Sequence, residues 1–93
     1  MPMVSSLIYV TELAEGCGLQ EVNDILQISR KNNEANGITG ILCYDGTHFV
    51  QWIEGARDKI NGLYGSILKD KTHGNVMILE YSEIAKRDYE GCP

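Results

Sequence analysis

Ninety-three residues, 43% of them hydrophobic, make one domain spanning 1–93, with a single core that a buried ligand or partner subunit would help to stabilise. A formal net charge of -5 argues against a nucleic-acid surface and against docking on an anionic membrane. Cys17, Cys43 and Cys92 show neither pairing logic nor metal-ligand spacing, and there is no signal peptide or membrane-length apolar run, which points to a reducing, cytoplasmic setting.

Ser5 to Val10 reads as a first strand, with Leu7 and Tyr9 on one face and Ile8 and Val10 on the other. Gly16 and Gly18 mark a loop. A helix is expected from about Leu19 to Ala35, with Val22, Ile25, Leu26 and Ser29 on one buried stripe that then meets Asn32 and Asn33. Asn36-Gly37 stops it, with glycine as the left-handed cap. Ile38 to Tyr44 is a second strand, in which Cys43 reads as a small core residue. Asp45-Gly46 signals a tight turn into a third strand, Thr47 to Glu54. Within it Phe49, Gln51 and Ile53 share one face, and Val50 and Trp52 the other. Glu54-Gly55 reads as a strand exit and helix entry. A second helix is expected over Ala56 to Lys69, with Ile60, Leu63, Tyr64, Ile67 and Leu68 as its apolar stripe. Val76 to Ser82 is a fourth strand, and Ile84 to Tyr89 a short, charged, edge-type fifth.

The order βαββαββ is that of an α+β, ferredoxin-like domain: a mixed five-stranded sheet with two helices on one face. If Leu7, Tyr9, Phe49, Gln51 and Ile53 face the helices, then Ile8, Val10, Val50 and Trp52 face away. No further helix is expected to cover them, so a homodimer through this outer face is the expected assembly.

Tyr9, Asn32, Asn33 and Gln51 converge between the helices and the sheet. A primary amide buried in an apolar strand needs a hydrogen-bond partner. A phenol and several amides in an aliphatic setting suit a planar ligand with alternating donors and acceptors on its edge. The isoalloxazine ring of a flavin is one of several such ligands.

Four groups of residues narrow the choice: Leu7-Ile8-Tyr9; Ser29-x-x-Asn32-Asn33-x-x-Asn36-Gly37-Ile38-Thr39-Gly40; Asp45-Gly46-x-x-Phe49-x-Gln51-x-x-Glu54-Gly55; and Asp70-x-x-His73. Over Leu7 to about Tyr89 the chain resembles a BLUF domain, the blue-light sensor that uses flavin. The resemblance implies a photoreceptor domain, not an enzyme, with flavin between the helices: FAD first, with FMN and riboflavin also admissible. It makes Tyr9 the light-active tyrosine and Gln51 the switching glutamine. Asn33 would take the flavin C4=O/N3–H edge and Asn32 would face C2=O. Ser29 belongs to the same pocket, Asp70 and His73 would lie near the ribityl chain or ring edge, and Lys31 or Lys71 would meet a phosphate. By the same resemblance, electron and proton transfer from Tyr9 leaves Gln51 rotated or tautomerised, with a stronger bond to C4=O and red-shifted absorption.

The chain departs from the family pattern in two places. Thr72 stands where members commonly carry a basic residue. Where the family's last strand has a Trp followed two positions later by a Met, this chain reads Tyr89-Glu90-Gly91-Cys92-Pro93, with Cys92 in place of the Trp. The expectation is therefore a domain without a C-terminal extension. Taken singly, the residues have plainer readings: Tyr9 as a core tyrosine, Ser29 bonded back to its own helix, His73 as an exposed loop histidine. The competing functions are a flavin-binding redox protein and a colourless dimerisation module.

Overall fold

The computed structural model describes residues 4–91, apart from the side chain of His73. The chain runs β1 (Val4–Leu13), α1 (Leu19–Ala35), β2 (Thr39–Tyr44), β3 (His48–Gly55), α2 (Arg57–Lys69) and β4 (His73–Ile84). The strands form one sheet in the order β2-β3-β1-β4, and every neighbouring pair is antiparallel. The six elements are the expected ferredoxin-like set. The sheet, however, has four strands among the described residues and is not mixed. β1 and β2 run the same way, but β3 lies between them, so no two neighbours are parallel.

The expected fifth strand is absent among the described residues. Ile84 closes β4, and residues 85–91 are turn and bend. The backbone there is committed elsewhere. The carboxylate of Glu54 accepts the N–H groups of Asp88 at 2.7 Å and Tyr89 at 2.9 Å. Arg87 Nη1 donates to Thr39 Oγ1 at 2.8 Å and to the Glu54 carbonyl at 3.0 Å. Glu54 is thus the last residue but one of β3, which runs one residue past the expected end, and it also anchors the segment that follows β4. Cys92 lies outside the described residues.

Glycines fix two of the local geometries. Gly37 follows α1 with φ +65°, the left-handed conformation expected after Asn36. Gly40 lets β2 approach β3, because a Cβ there would run into the Trp52 carbonyl. The helices pack on the face that carries Leu7, Tyr9, Phe49, Gln51 and Ile53, all buried. Ile60 joins Leu7, Tyr9, Ile38 and Ile53 in the core, with Leu63, Tyr64 and Ile67 of α2 and Val76 of β4 against it. Leu26 and Leu68 are exposed, against expectation. The inward side of α1 borders open space instead of interlocking with α2, so residues at the margin of each stripe stay in solvent. Cys43 is likewise exposed, since its cross-strand partner is Val50 on the outer face.

That outer face carries Ile8 opposite Trp52 and Val10 opposite Val50, as the alternation predicts. Val50 is 40% exposed, and Ile41 and Met77 are exposed beside it. Trp52 is better covered than the sequence suggests. Its Nε1 donates to Ser6 Oγ at 3.1 Å, and the Tyr89 ring meets it edge-on with centroids 5.1 Å apart.

Candidate functional site

The β1–β3 pairing sets Tyr9 directly opposite Gln51. Both face the helices and are almost fully buried, at 2% and 4% exposure. The Tyr9 hydroxyl donates to Gln51 Oε1. Gln51 Nε2 donates to Ser29 Oγ at 3.1 Å. Ser29 therefore does not bond back to its own helix; it joins α1 to the amide on β3. The phenol, the amide and the hydroxyl form one chain across three elements.

Burial pushes the Tyr9 phenol well above its ordinary pKa, and the nearby Tyr64 hydroxyl adds to the effect. The Tyr64 ring stands edge-on to Tyr9, with 5.9 Å between centroids. Tyr9 is thus held protonated, as a donor, at neutral pH.

This chain of bonds lines a cavity of about 310 Å³ between α1, α2 and the sheet. Its walls include Tyr9, Ser29, Asn32, Gln51, Asp70 and Thr72, with Ile25, Ile28, Phe49, Leu63 and Ile67 as apolar surface. The volume lies at the lower end of the range for small-molecule sites, about 300–1,000 Å³. An adjoining cavity of about 350 Å³ shares Asn32, Leu63 and Ser66 with the first and adds Asn33 and Lys59. A third, between α1 and β2, is lined by both Asn33 and Gln51.

Asn33 is 3% exposed, and its Oδ1 is the one buried side-chain oxygen or nitrogen among the described residues with no hydrogen-bond partner. An orphaned acceptor of this kind costs about 1–3 kcal/mol unless something donates to it. Its place beside the inter-helix space suits a ligand with an N–H on its edge. Asn32 is exposed at the cavity wall, while its carbonyl takes the Asn36 side-chain amide at 2.7 Å to close the helix. Asp70 accepts from the Thr72 N–H at 2.9 Å and its hydroxyl at 2.7 Å, which pins the turn into β4. His73 opens β4, and its side chain lies outside what is described.

Lys31 does not line the inter-helix cavity. It lies along a groove with Gln27, Arg30 and Glu34. Two positions past Ser29 is about 200° around a helix, which turns Lys31 away from the ring space. Lys71 is exposed on the loop after α2. Glu54 is the residue whose wider role sequence reasoning missed. The available signal was a carboxylate inside the apolar run Phe49–Gly55, fully buried here at 0% exposure.

Residues 4–92 match the BLUF family, described as sensors of blue light using FAD. The chain belongs to the BLUF family. This BLUF domain is a blue-light sensor, and its cofactor is a flavin. It is 29% identical over 77 residues to the blue light- and temperature-regulated antirepressor BluF of Escherichia coli strain K12, covering 83% of this chain and 19% of that protein. With photoactivated adenylate cyclase subunit alpha of Euglena gracilis it shares 33% over 88 residues, 95% of this chain and 8% of that one. The solved dark-state structure of the BLUF protein BlrB superposes with a TM-score of 0.90 at 33% identity, covering 99% of this chain and 70% of that one. A bacterial light-regulated adenylyl cyclase gives a TM-score of 0.90 at 33% identity, with coverage of 97% and 26%. The BLUF domain thus spans less than a fifth of either curated relative. No helix among its described residues is long and apolar enough to cross a membrane.

Proposed function

We propose that Tyr9, Gln51 and Ser29 are the switching elements of this sensor and that Asn33, with Asn32, holds the flavin edge. The observation that carries the reading is the continuous chain from the Tyr9 hydroxyl through the Gln51 amide to Ser29, on the wall of a ring-sized cavity. A bound flavin supplies blue-light absorption and, once excited, an electron acceptor.

The rest follows from the chain's own groups. Tyr9 is a protonated phenol whose hydroxyl donates to an amide oxygen, so its proton has a defined first acceptor, Gln51 Oε1. A primary amide has one accepting and one donating end. If Gln51 turns over, its nitrogen faces Tyr9 and its oxygen faces Ser29. The phenol oxygen can then accept and the Ser29 hydroxyl can donate, because each is both donor and acceptor. Both orientations are satisfied, as a two-state element requires. Asn33 Oδ1 is free to accept from the ligand edge, which fixes the ring while Gln51 moves.

The same strand carries Trp52 on its outer surface, so a change at Gln51 has a short covalent route to that face. A second copy of the chain is the occupant we assign to the outer face, where Val50, Ile41 and Val10 offer contiguous apolar surface. Trp52 contributes less to that contact than its size suggests, because Tyr89 and Ser6 already engage it. The domain turns over no substrate of its own and works in the cytoplasm.

The test is the absorption spectrum of the purified protein before and after blue light, beside Gln51→Leu. The wild type should be yellow and shift reversibly to the red. Gln51→Leu should stay yellow and lose the shift, because leucine fills similar space without an amide. A wild-type shift in Gln51→Leu would remove Gln51 from the mechanism. A protein reducible by a nicotinamide without any light shift, or a colourless one, would replace the whole reading.

A further inference from the structure

We propose that the cavity between α1 and β2 is a second binding site, for a small, neutral, planar molecule that carries a hydrogen-bond donor and an acceptor side by side, as a primary amide or a pyrazole does. Its occupant speeds the return of Gln51 after light. The proposal rests on the turning amide described above and adds what can reach that amide from outside.

The Gln51–Ser29 bond has a cavity on either side. Both residues, with Leu42, line the ring cavity and also the cavity of about 290 Å³ between α1 and β2. The second cavity takes no wall residue from α2, so it lies outside the space between the two helices. Its wall lacks a side chain at Gly40, where the close approach of β2 to the Trp52 carbonyl forbids one. Leu26 and Arg30 frame it on α1, and both are exposed, which puts its mouth in solvent. Leu26 does not line the ring cavity.

The groups on this wall match such a guest. Asn33 lines the cavity, and its buried Oδ1 has no hydrogen-bond partner among the described residues. A carbonyl oxygen has two lone pairs, so accepting from a flavin edge leaves one for a second donor. Gln51 gives up two bonds when it turns, one to Tyr9 and one to Ser29. Partway through the turn its oxygen and nitrogen are both unpaired in a buried setting, which raises the barrier. A molecule with adjacent donor and acceptor can pair with both ends of a primary amide at once, whereas the single oxygen of a water cannot meet both with good geometry. Leu26 and Leu42 offer apolar surface to the faces of a small ring. Arg30 is the charged side chain among the described wall residues, and it disfavours a cation.

The flavin-loaded protein is flashed with blue light, and the decay of the red-shifted absorption is timed in the dark at increasing pyrazole. Pyrazole stays neutral around neutral pH, so it serves there neither as a cation nor as a general base. The recovery rate should climb along a saturation curve to about tenfold, the factor that about 1.4 kcal/mol of restored bonding in the barrier supplies. 1-Methylpyrazole, nearly the same ring without the N–H donor, should leave the rate near its value in buffer. Leu26→Trp, which sets an indole at the mouth, should keep the colour and the red shift and lose the response to pyrazole. Both additives are compared on the wild type, so the result does not hang on the variant. A rate indifferent to pyrazole, equal acceleration by 1-methylpyrazole, or full acceleration in Leu26→Trp would each overturn the second site and leave the light switch standing. A wild type with no red shift would remove the switch itself, and the proposal with it.

Discussion

Replacing Glu54 with glutamine should free the segment that follows β4 without unfolding the domain. The Glu54 carboxylate is fully buried and accepts two backbone N–H groups, from Asp88 at 2.7 Å and Tyr89 at 2.9 Å. Glutamine keeps one accepting oxygen. Its NH2 must then face the other backbone N–H, so one donor loses its partner and meets a like dipole. A hydrogen bond to a charged acceptor contributes about 1.5–3 kcal/mol. Taking about 2 kcal/mol for the lost bond, the opening equilibrium of residues 85–91 should rise roughly thirtyfold. Amide hydrogen exchange in the dark reads this directly: protection at Asp88 and Tyr89 should fall by about that factor, while amides of β1 and β3 keep theirs. Trp52 is the chain's one tryptophan, so its fluorescence should report the departure of Tyr89 in the same variant. Unchanged protection at both amides would show that the carboxylate is not what holds the segment.

Ser29→Ala should bind flavin but weaken the orientation of Gln51, since the Gln51 Nε2 bond at 3.1 Å is lost. A deletion worth about 1 kcal/mol should change the dark recovery rate several-fold, and a recovery time course identical to wild type would refute the role. The raised Tyr9 pKa has a definite sign in stability. The folded state holds that proton more tightly than the unfolded chain, so its contribution is whole below the ordinary value of about 10 and is lost as pH climbs above it. Urea midpoints of the wild type minus those of Tyr9→Phe should therefore be flat from pH 7 to about 10 and fall beyond, and a slope near neutrality would contradict the burial argument. Val50→Glu places a charge in the centre of the exposed outer face and should shift sedimentation from dimer to monomer while leaving the absorption spectrum in place. A wild type that sediments as a monomer at high concentration would refute the assembly.

Much of this site was legible because it follows from strand alternation. Tyr9 and Gln51 point inward by period two, and their strands proved to be neighbours in a register that sets them face to face. Asn33 followed from the 3.6-residue stripe of α1, whereas Lys31, two positions past Ser29, falls on another side of the helix. Ser29 could be placed on the stripe, but its partner could not be known, because the contact joins residues 29 and 51 across the cavity. The fifth strand failed for a related reason. Charged residues over 84–89 resemble an edge strand locally, yet their backbone is claimed by Glu54, which is distant in sequence. The mixed sheet was an error of topology, since local pattern does not say which strand slots between β1 and β2.

The pairing of Tyr9 with Gln51 also limits how the chain can vary in length. Side chains alternate along β3, so one residue lost between His48 and Gln51 would send Gln51 to the outer surface and set an apolar neighbour against the phenol. A residue added in the turn around Asp45–Thr47 is absorbed before the strand begins and leaves the pair intact. Libraries that scan single-residue insertions and deletions should therefore show a sharp boundary at the start of β3, with light response lost on one side of it and kept on the other.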